Sequence, residues 1–126
     1  MNNIMIKKID YNDISDEIKL HPEIKKNLIT FSEQTTYFGA YIFDRLVGCC
    51  GYKEFSKTIW LKSSFVLPEY RLIGIYSRLS KERMSLVILK NKKIYAFATK
   101  NSIHYHLKSG AKIIKSYKAL SHKITY

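Results

Sequence analysis

The sequence predicts an α/β fold built by a single domain of 126 residues. Two observations carry this prediction. Alternating or continuously apolar runs that are typical of strands are separated by segments whose apolar residues recur at helical spacing. In addition, the longest helical segment follows a strand after only a short turn. The predicted order is one strand, two helices, three strands, a helix, a strand, a helix and two strands.

The first half of the chain contains four strands and two short helices. The first strand, 4–9, alternates apolar and polar residues. Asp13 or Ser15 can cap a short helix, and Pro22 begins a second one, because its missing N–H costs nothing at an early helical position. An aromatic-rich strand and its partner then form a hairpin about the turn 44–45.

The second half is marked by a proline and a glycine. Pro68 ends the fourth strand, since it cannot donate to a sheet. A long helix is predicted from Arg71 to about Leu89, and Gly110 ends a later helix that begins at Asn101 or Ser102. The strands are predicted at 4–9, 35–43, 46–55, 58–66, 94–98, 111–117 and 119–126.

The start of the long helix is a candidate phosphate site. A strand, a tight turn and a helix in this order leave the N–H groups of the first helical turn without intrahelical acceptors, at the positive end of the helix dipole. Gly74 would let a backbone approach a ligand with no side chain in the way. A plain turn capped by Pro68 and Glu69 explains the same residues, so both interpretations stay open at this point.

The stretch Val66-Leu-Pro-Glu-Tyr-Arg-Leu-Ile-Gly-Ile resembles the acyl-CoA loop of the GNAT N-acetyltransferase superfamily, whose pattern is Arg or Gln, two residues, Gly, one residue, then Gly or Ala. Arg71 and Gly74 match, whereas Tyr76 stands where a small residue is usual and Leu72 where a further Gly is common. The resemblance implies that the loop amides hold the diphosphate of acetyl-CoA, the co-substrate. The implied cofactor-binding residues are Phe65, Val66, Arg71, Leu72, Ile73, Gly74, Ile75, Tyr76 and Asn101.

The predicted element order is similar to the GNAT fold, β-α-α-β-β-β-α-β-α-β-β, along nearly the whole chain. The resemblance implies one mixed sheet with a splay between strands 4 and 5, which lodges the pantetheine arm. A second match is the pattern Asn101-(x)4-His106-Leu-Lys-Ser-Gly110, which looks like the closing motif of the family. In that motif a Tyr stands four residues before the Gly.

The resemblance also implies roles in catalysis. The N–H of Val66 corresponds to the oxyanion donor, and His106 occupies the spacing of the tyrosine that protonates the leaving thiolate. A histidine near its ordinary pKa could donate this proton at neutral pH, and Tyr105 is the alternative if the helix is shifted by one residue. Strand 58–66 has no acidic residue, so Glu54 is the nearest candidate general base by chain position, with a water relay as the alternative.

Positive charge is concentrated in the last third of the chain. The formal net charge is +12, and no Asp or Glu follows Arg83, whereas nine lysines do. Such a field attracts polyanions. A lysine-rich solvated surface without a partner is the alternative.

Other features bound the cellular context. The chain has no apolar run long enough to span a bilayer, and its first residues lack the apolar core of a signal peptide. Cys49 and Cys50 are adjacent, which makes them poor partners for each other and offers no metal spacing. We therefore expect a cytoplasmic protein with no membrane partner and no metal, either monomeric or homodimeric.

The leading hypothesis is an acetyl-CoA-dependent N-acetyltransferase. Its acceptor amine would belong to a nucleic acid or to a molecule associated with one, as in phage-type DNA modification or on charged tRNA. Two alternatives stay open. One is a non-catalytic binding module on a GNAT-like scaffold, and the other is a basic nucleic-acid-binding protein without a cofactor.

Overall fold

A computed structural model describes residues 3–99, 102–117 and 121–126. Within these ranges the chain forms one mixed sheet of seven strands in the order β1-β2-β3-β4-β5-β7-β6. The strands are β1 (Ile4–Ile9), β2 (Thr36–Ile42), β3 (Arg45–Glu54), β4 (Thr58–Val66), β5 (Lys93–Thr99), β6 (Lys112–Tyr117) and β7 (Ser121–Thr125). The helices are α1 (Asp16–Lys19), α2 (Pro22–Lys26), α3 (Ile75–Val87) and α4 (Ile103–Lys108). The predicted fold class and element order are confirmed.

One pair of neighbouring strands in the sheet, β4 and β5, is parallel, and the other pairs are antiparallel. Strands β1 to β4 form an antiparallel meander, whereas β5 runs parallel to β4. A parallel pair needs a crossover connection, which α3 provides. The last strand, β7, is inserted between β5 and β6 and is antiparallel to both.

Strands β4 and β5 pair along only part of their length. Residues 58–61 of β4 lie beside residues 93–96 of β5, and the pairing ends there. Residues 62–66 and 97–99 continue on the two sides without pairing to each other. This opening, called the gap below, is the predicted splay between strands 4 and 5, which is thereby confirmed.

The long helix begins later than the sequence suggested. It starts at Ile75 rather than Arg71, because Leu72 and Gly74 adopt left-handed backbone conformations, with φ of 67° and 90°. A right-handed helix cannot include such residues. The short segment before the loop, Pro68–Tyr70, is a 3-10 turn.

The core lies between the sheet and the helices. One side of α3 is buried against the sheet through Ile75, Leu79 and Val87, and the thiol of Cys50 contacts the Leu79 carbonyl at 3.5 Å. Both Cys49 and Cys50 are free and buried, and burial raises the pKa of each thiol. Among the helices in the described ranges, none is both long and apolar enough to cross a membrane.

Candidate active site

The edge of β4 that faces the gap presents the backbone of Val66. The N–H of Leu67 donates to the carbonyl of Val47 at 2.9 Å, so the backbone of Leu67 faces β3. Consecutive residues of a strand direct their backbone groups to opposite edges. The N–H and carbonyl of Val66 therefore face the gap, which is the placement that an oxyanion donor requires.

A β-bulge lies in β4 where the gap opens. The register against β3 shifts between Cys49 and Gly51, and Ser63 has a φ of 59°. The Ser63 hydroxyl donates to the carbonyl of Thr30 at 2.6 Å, which ties the bulge to the segment before β2. A bulge bends its strand, so this one contributes to the separation of β4 from β5. The sequence gives no signal for a left-handed serine at this position.

The loop 71–74 leaves the start of α3 open. Its residues are exposed, and a Cβ placed on Gly74 would meet no atom within 4 Å. The first intrahelical bond of α3 runs from the N–H of Arg78 to the carbonyl of Gly74. The N–H groups of the first helical turn, 75–77, therefore have no acceptor within the helix.

Arg71 fixes the loop to its surroundings. Its Nε donates to the Val66 carbonyl at 2.8 Å, and its Nη1 donates to Glu23 Oε1 at 3.1 Å. The guanidinium also lies 5.3 Å from the ring centre of Phe65, which is itself buried. Arg71 thus connects the loop, the end of β4 and α2, and it occupies the carbonyl that faces the gap.

His106 joins two helices and the chain end. Its Nε2 is 3.1 Å from the Tyr76 hydroxyl on α3, and its Nδ1 is hydrogen-bonded to the hydroxyl of Tyr126. A neutral imidazole has one donor and one acceptor nitrogen, so one of these hydroxyls donates to the ring and the other accepts from it. The Tyr105 ring packs edge-on against Tyr76, with centroids 5.0 Å apart.

The side chains of His106, Tyr76 and Tyr126 are all neutral at pH 7. Burial, together with the positive charge of Arg83, lowers the pKa of His106 to about 4. Burial also raises the pKa of Tyr76 and raises that of Tyr126 to about 12. The expectation of a histidine near its ordinary pKa is therefore wrong, since a buried imidazole beside a cation resists protonation.

Arg83 is the buried cation beside this group. Only 1% of its surface is exposed. Its Nη1 donates to the carbonyl of Gly51 at 3.1 Å and to Ser64 Oγ at 3.0 Å, whereas its Nε and Nη2 have no hydrogen-bond partner among the described residues. The sequence did contain a signal, because Arg83 stands four residues after Leu79 and four before Val87, on the buried side of α3.

Glu54 lies elsewhere. Its carboxylate accepts from Lys92 at 2.7 Å and lies 2.9 Å from the Lys90 ammonium, and these two lysines lower its pKa. Glu54 pairs with Ile59, where β4 and β5 are still joined, so the structure does not bring it to the gap. The other outlying prediction, Asn101, falls outside the described residues.

The cavities on the described surface include one between the last two helices and one beside a hairpin turn. One, of about 210 Å³, lies between α3 and α4 and is lined by Ser80, Lys81, Met84, Tyr105, Ser109 and Tyr126. The other is an open cleft of about 790 Å³ beside the β2–β3 turn. In this cleft, Arg45 forms an ion pair with Glu17, and its Nη1 donates to the Tyr70 hydroxyl at 3.1 Å, so these groups already have partners. Of these two cavities, the first adjoins His106, because Tyr105 and Tyr126, which contact the imidazole, line it.

No family model matches this sequence, and no curated protein matches it either. Solved structures do. The PaiA N-acetyltransferase of Thermoplasma acidophilum, in complex with coenzyme A, is 15% identical, with a TM-score of 0.73 and coverage of 98% of this chain and 99% of that one. Naa50 of Arabidopsis thaliana, in complex with the bisubstrate analogue CoA-Ac-MVNAL, is 15% identical, with a TM-score of 0.72 and coverage of 98% of both chains.

A third match extends the range of organisms. An acyl-CoA N-acyltransferase of Pseudomonas aeruginosa is 10% identical, with a TM-score of 0.73 and coverage of 97% of this chain and 98% of that one. These identities are low, but the likeness extends over nearly the whole length of each chain. The element order, the parallel β4–β5 pair and the gap that follows it agree with this likeness. The protein has the fold of the GNAT N-acetyltransferases.

Proposed function

We propose that the protein transfers an acetyl group from acetyl-CoA to an amine. The observation that carries this proposal is the position of the gap, which lies at the end of β4 next to the open first turn of α3. One extended ligand could bind with its diphosphate at the helix start and its arm in the gap. Two proteins with this fold hold coenzyme A or a CoA-containing analogue, which supports the choice of cofactor.

The diphosphate would bind to main-chain groups. The free N–H groups of residues 75–77 and the positive end of the α3 dipole favour an anion at this place. The open surroundings of Gly74 allow the backbone to approach the ligand closely. Leu72, which is fully exposed, and Ile73 complete the loop without covering it.

The acetyl group would react beside Val66. The amine nitrogen attacks the thioester carbonyl carbon, and the N–H of Val66 stabilises the oxyanion that forms. The intermediate then expels the CoA thiolate, which takes up a proton. The Glu23 carboxylate near the end of β4 is paired with Arg71, so the proton released by the amine passes to water in this account.

A tyrosine hydroxyl would supply the proton to the thiolate. His106 is neutral at pH 7 and both of its nitrogens are engaged, so it cannot act as an imidazolium donor. Tyr76, whose raised pKa keeps it protonated, is the donor that we assign. His106 passes its Nε2 proton to Tyr76 and takes another at Nδ1 from the hydroxyl of Tyr126, which water protonates again. Tyr105, in edge contact with Tyr76, is the alternative donor.

The acceptor amine would belong to a nucleic acid or to a molecule bound to one. The support is the formal charge of +12 and the absence of acidic residues after Arg83. This choice of acceptor is separate from the chemistry, because transfer to any uncharged amine would use the same backbone groups.

A second candidate is a binding module without catalysis. It is favoured by Tyr76, whose side chain bridges α3 and α4 where the family pattern has a small residue. Calorimetric titration with acetyl-CoA, followed by thiol release in the presence of amines, distinguishes the two. Saturable binding and release support transfer, whereas binding without release to any amine, or no saturable binding at all, contradicts transfer and supports the module.

A further inference from the structure

At the end of the sheet formed by β4 to β7, one side is left open and carries a row of aromatic rings. In β5 the buried residues Ala96 and Ala98 alternate with Tyr95 and Phe97, so the two rings lie on the outer face. Trp60, which pairs with Tyr95, lies on the same face. The Trp60 ring is 5.2 Å from that of Tyr95 and 5.5 Å from that of Phe97, nearly parallel to the latter at 26°.

The row continues onto the outer strand and is flanked by lysines. Tyr117 of β6 lies 6.1 Å from Phe97. The Lys123 ammonium is 5.4 Å from the Trp60 ring centre, and the Lys115 ammonium is 5.1 Å from that of Tyr117. We call this set the aromatic–lysine face. Its members are Trp60, Tyr95, Phe97, Lys115, Tyr117 and Lys123.

This face exposes apolar area that folding does not use. Phe97 is 57% exposed and Tyr117 is 39% exposed, although both are large aromatic residues. Neighbouring exposed aromatic rings of this kind mark interaction surfaces more often than scattered single ones do. Strands β5, β6 and β7 contain no Asp or Glu, so no carboxylate of these strands neutralises the lysines.

We propose that the aromatic–lysine face binds single-stranded nucleic acid, with the lysines on the phosphates and the exposed rings against unpaired bases. Aromatic stacking platforms beside a positive groove are the usual means of binding such strands. A second copy of the chain fits poorly, because it would bring Lys115 and Lys123 against the same charges. A duplex presents its phosphates but keeps its bases stacked on one another, so the rings would gain no partner.

The face borders the gap. Trp60 and Tyr95 belong to the next-to-last paired row of β4 and β5, and Phe97 lies on the part of β5 that forms one side of the opening. A strand bound here would present its groups to the place where we put the thioester. In that respect the inference rests on the proposed function and names its acceptor, although the binding itself needs no acetyl transfer.

The test is fluorescence anisotropy with a labelled 15-nucleotide single strand, the matched duplex and polyglutamate. The single strand is expected to bind most tightly. Phe97→Ala should weaken its binding about tenfold, through loss of one stacked base. Phe97→Tyr, which keeps an aromatic ring, should bind the single strand as tightly as the unchanged protein. The matched control is Phe43→Ala, which removes an exposed ring at the β2–β3 turn and should change nothing.

The salt dependence tests the lysines. Replacing Lys115 and Lys123 by Gln should reduce the slope of log affinity against log salt by about 0.7 for each residue. The control is Lys81→Gln, which removes a lysine from the exposed side of α3 and should leave the slope unchanged. Equal affinity for duplex, polyglutamate and single strand, with no effect of Phe97→Ala, would overturn the inference in favour of general polyanion attraction.

Acetyl-CoA titrations of the same variants separate this inference from the proposed function. If the oligonucleotide fails to bind while acetyl-CoA binds, only the inference is contradicted. If acetyl-CoA fails to bind while the oligonucleotide binds as described, only the proposed function is contradicted. Self-association that Phe97→Ala abolishes would assign the face to a second copy and would also overturn the inference.

Discussion

The hydroxyl of Tyr76 and Nε2 of His106 lie 3.1 Å apart and join the first turn of α3 to α4. The same turn of α3 offers its free N–H groups at the mouth of the gap. The proposed phosphate cradle and the proposed proton donor are therefore neighbours on one helix. A change at Tyr76 should affect both the shape of the gap and the chemistry in it.

The pH dependence of stability should report His106. Its pKa is about 4 in the folded protein and 6.5 ordinarily, so between these values the unfolded chain binds a proton that the folded protein does not. The free energy of unfolding should fall as the pH drops from 6.5 to 4, by about 3 kcal/mol in total at 1.36 kcal/mol per pKa unit. Urea unfolding at a series of pH values measures this change.

His106→Gln provides the control, because it removes the titration but can keep a hydrogen bond to one tyrosine. Its unfolding free energy should vary much less between pH 6.5 and 4.5. The lowered pKa values of Glu17 and Glu54 act below about pH 4.5 and leave this window clear. An unchanged slope in His106→Gln would show that another group is responsible.

Arg83 should hold down the pKa of His106. Burial is the larger cause of the lowered pKa of His106, and the positive charge of Arg83 adds to it, so Arg83→Met should raise this pKa from about 4 by part of the way to 6.5. An NMR titration of the imidazole measures it directly. Arg78→Met, which removes an exposed arginine from the same helix, should leave the pKa where it is. A pKa that does not move in Arg83→Met would mean that burial alone sets it.

Replacing the tyrosine hydroxyls should identify the proton donor. Tyr76→Phe keeps the ring and removes the hydroxyl, and it should lower the turnover of acetyl transfer about a hundredfold, the usual effect of losing a general acid. The Michaelis constant for acetyl-CoA should change little. Tyr105→Phe is the matched comparison on α4. If only Tyr105→Phe lowers turnover, the assignment of Tyr76 is wrong and Tyr105 takes the role.

The size of Tyr76 should limit cofactor binding. Tyr76→Ala would remove the bridge to His106 and open the side of the gap towards α4. We therefore expect tighter binding of acetyl-CoA, by calorimetry, together with slower transfer. Tyr105→Ala is the control, since it removes a neighbouring ring without clearing the bridge. Weaker binding in Tyr76→Ala would indicate that the ring supports the cofactor.

Sequence reasoning reached the architecture because its signals are local. Pro68 ended β4, Gly110 with its positive φ ended α4, and the hairpin pattern paired β2 with β3. The insertion of β7 between β5 and β6 has no such signal, because it depends on which strand edges meet in space. Leu72 shows a further limit, since leucine rarely adopts a positive φ and nothing in the sequence distinguishes it.

The site was partly predictable for the same reason. Residues of the loop and the end of β4 are continuous in sequence, so their proximity follows from the chain. Glu54 was chosen by chain position, which does not tell whether a residue lies beside the gap or where β4 and β5 are still paired. Arg83 could have been found, because a charged residue at the fourth position after Leu79 interrupts an otherwise apolar helical stripe.

Gly74 should be the most sensitive position of the phosphate cradle. Gly74→Trp places a side chain over the free N–H groups and should weaken acetyl-CoA binding at least tenfold, measured by calorimetry. Gly110→Trp is the matched control, because Gly110 also has a positive φ and no atom near its Cβ position. Both variants should lose about 1–3 kcal/mol of stability through backbone strain. Equal cofactor affinity in the two would place the diphosphate elsewhere.

The central claim is that one ligand spans the start of α3 and the gap. An NMR titration of the ¹⁵N-labelled protein with acetyl-CoA tests it most directly, through the backbone amide signals. The account predicts saturable shifts at Gly74, Ile75, Tyr76 and Val66, with one dissociation constant for all of them. Shifts confined to the helix start with Val66 unmoved, or no saturable shift in either place, would contradict it.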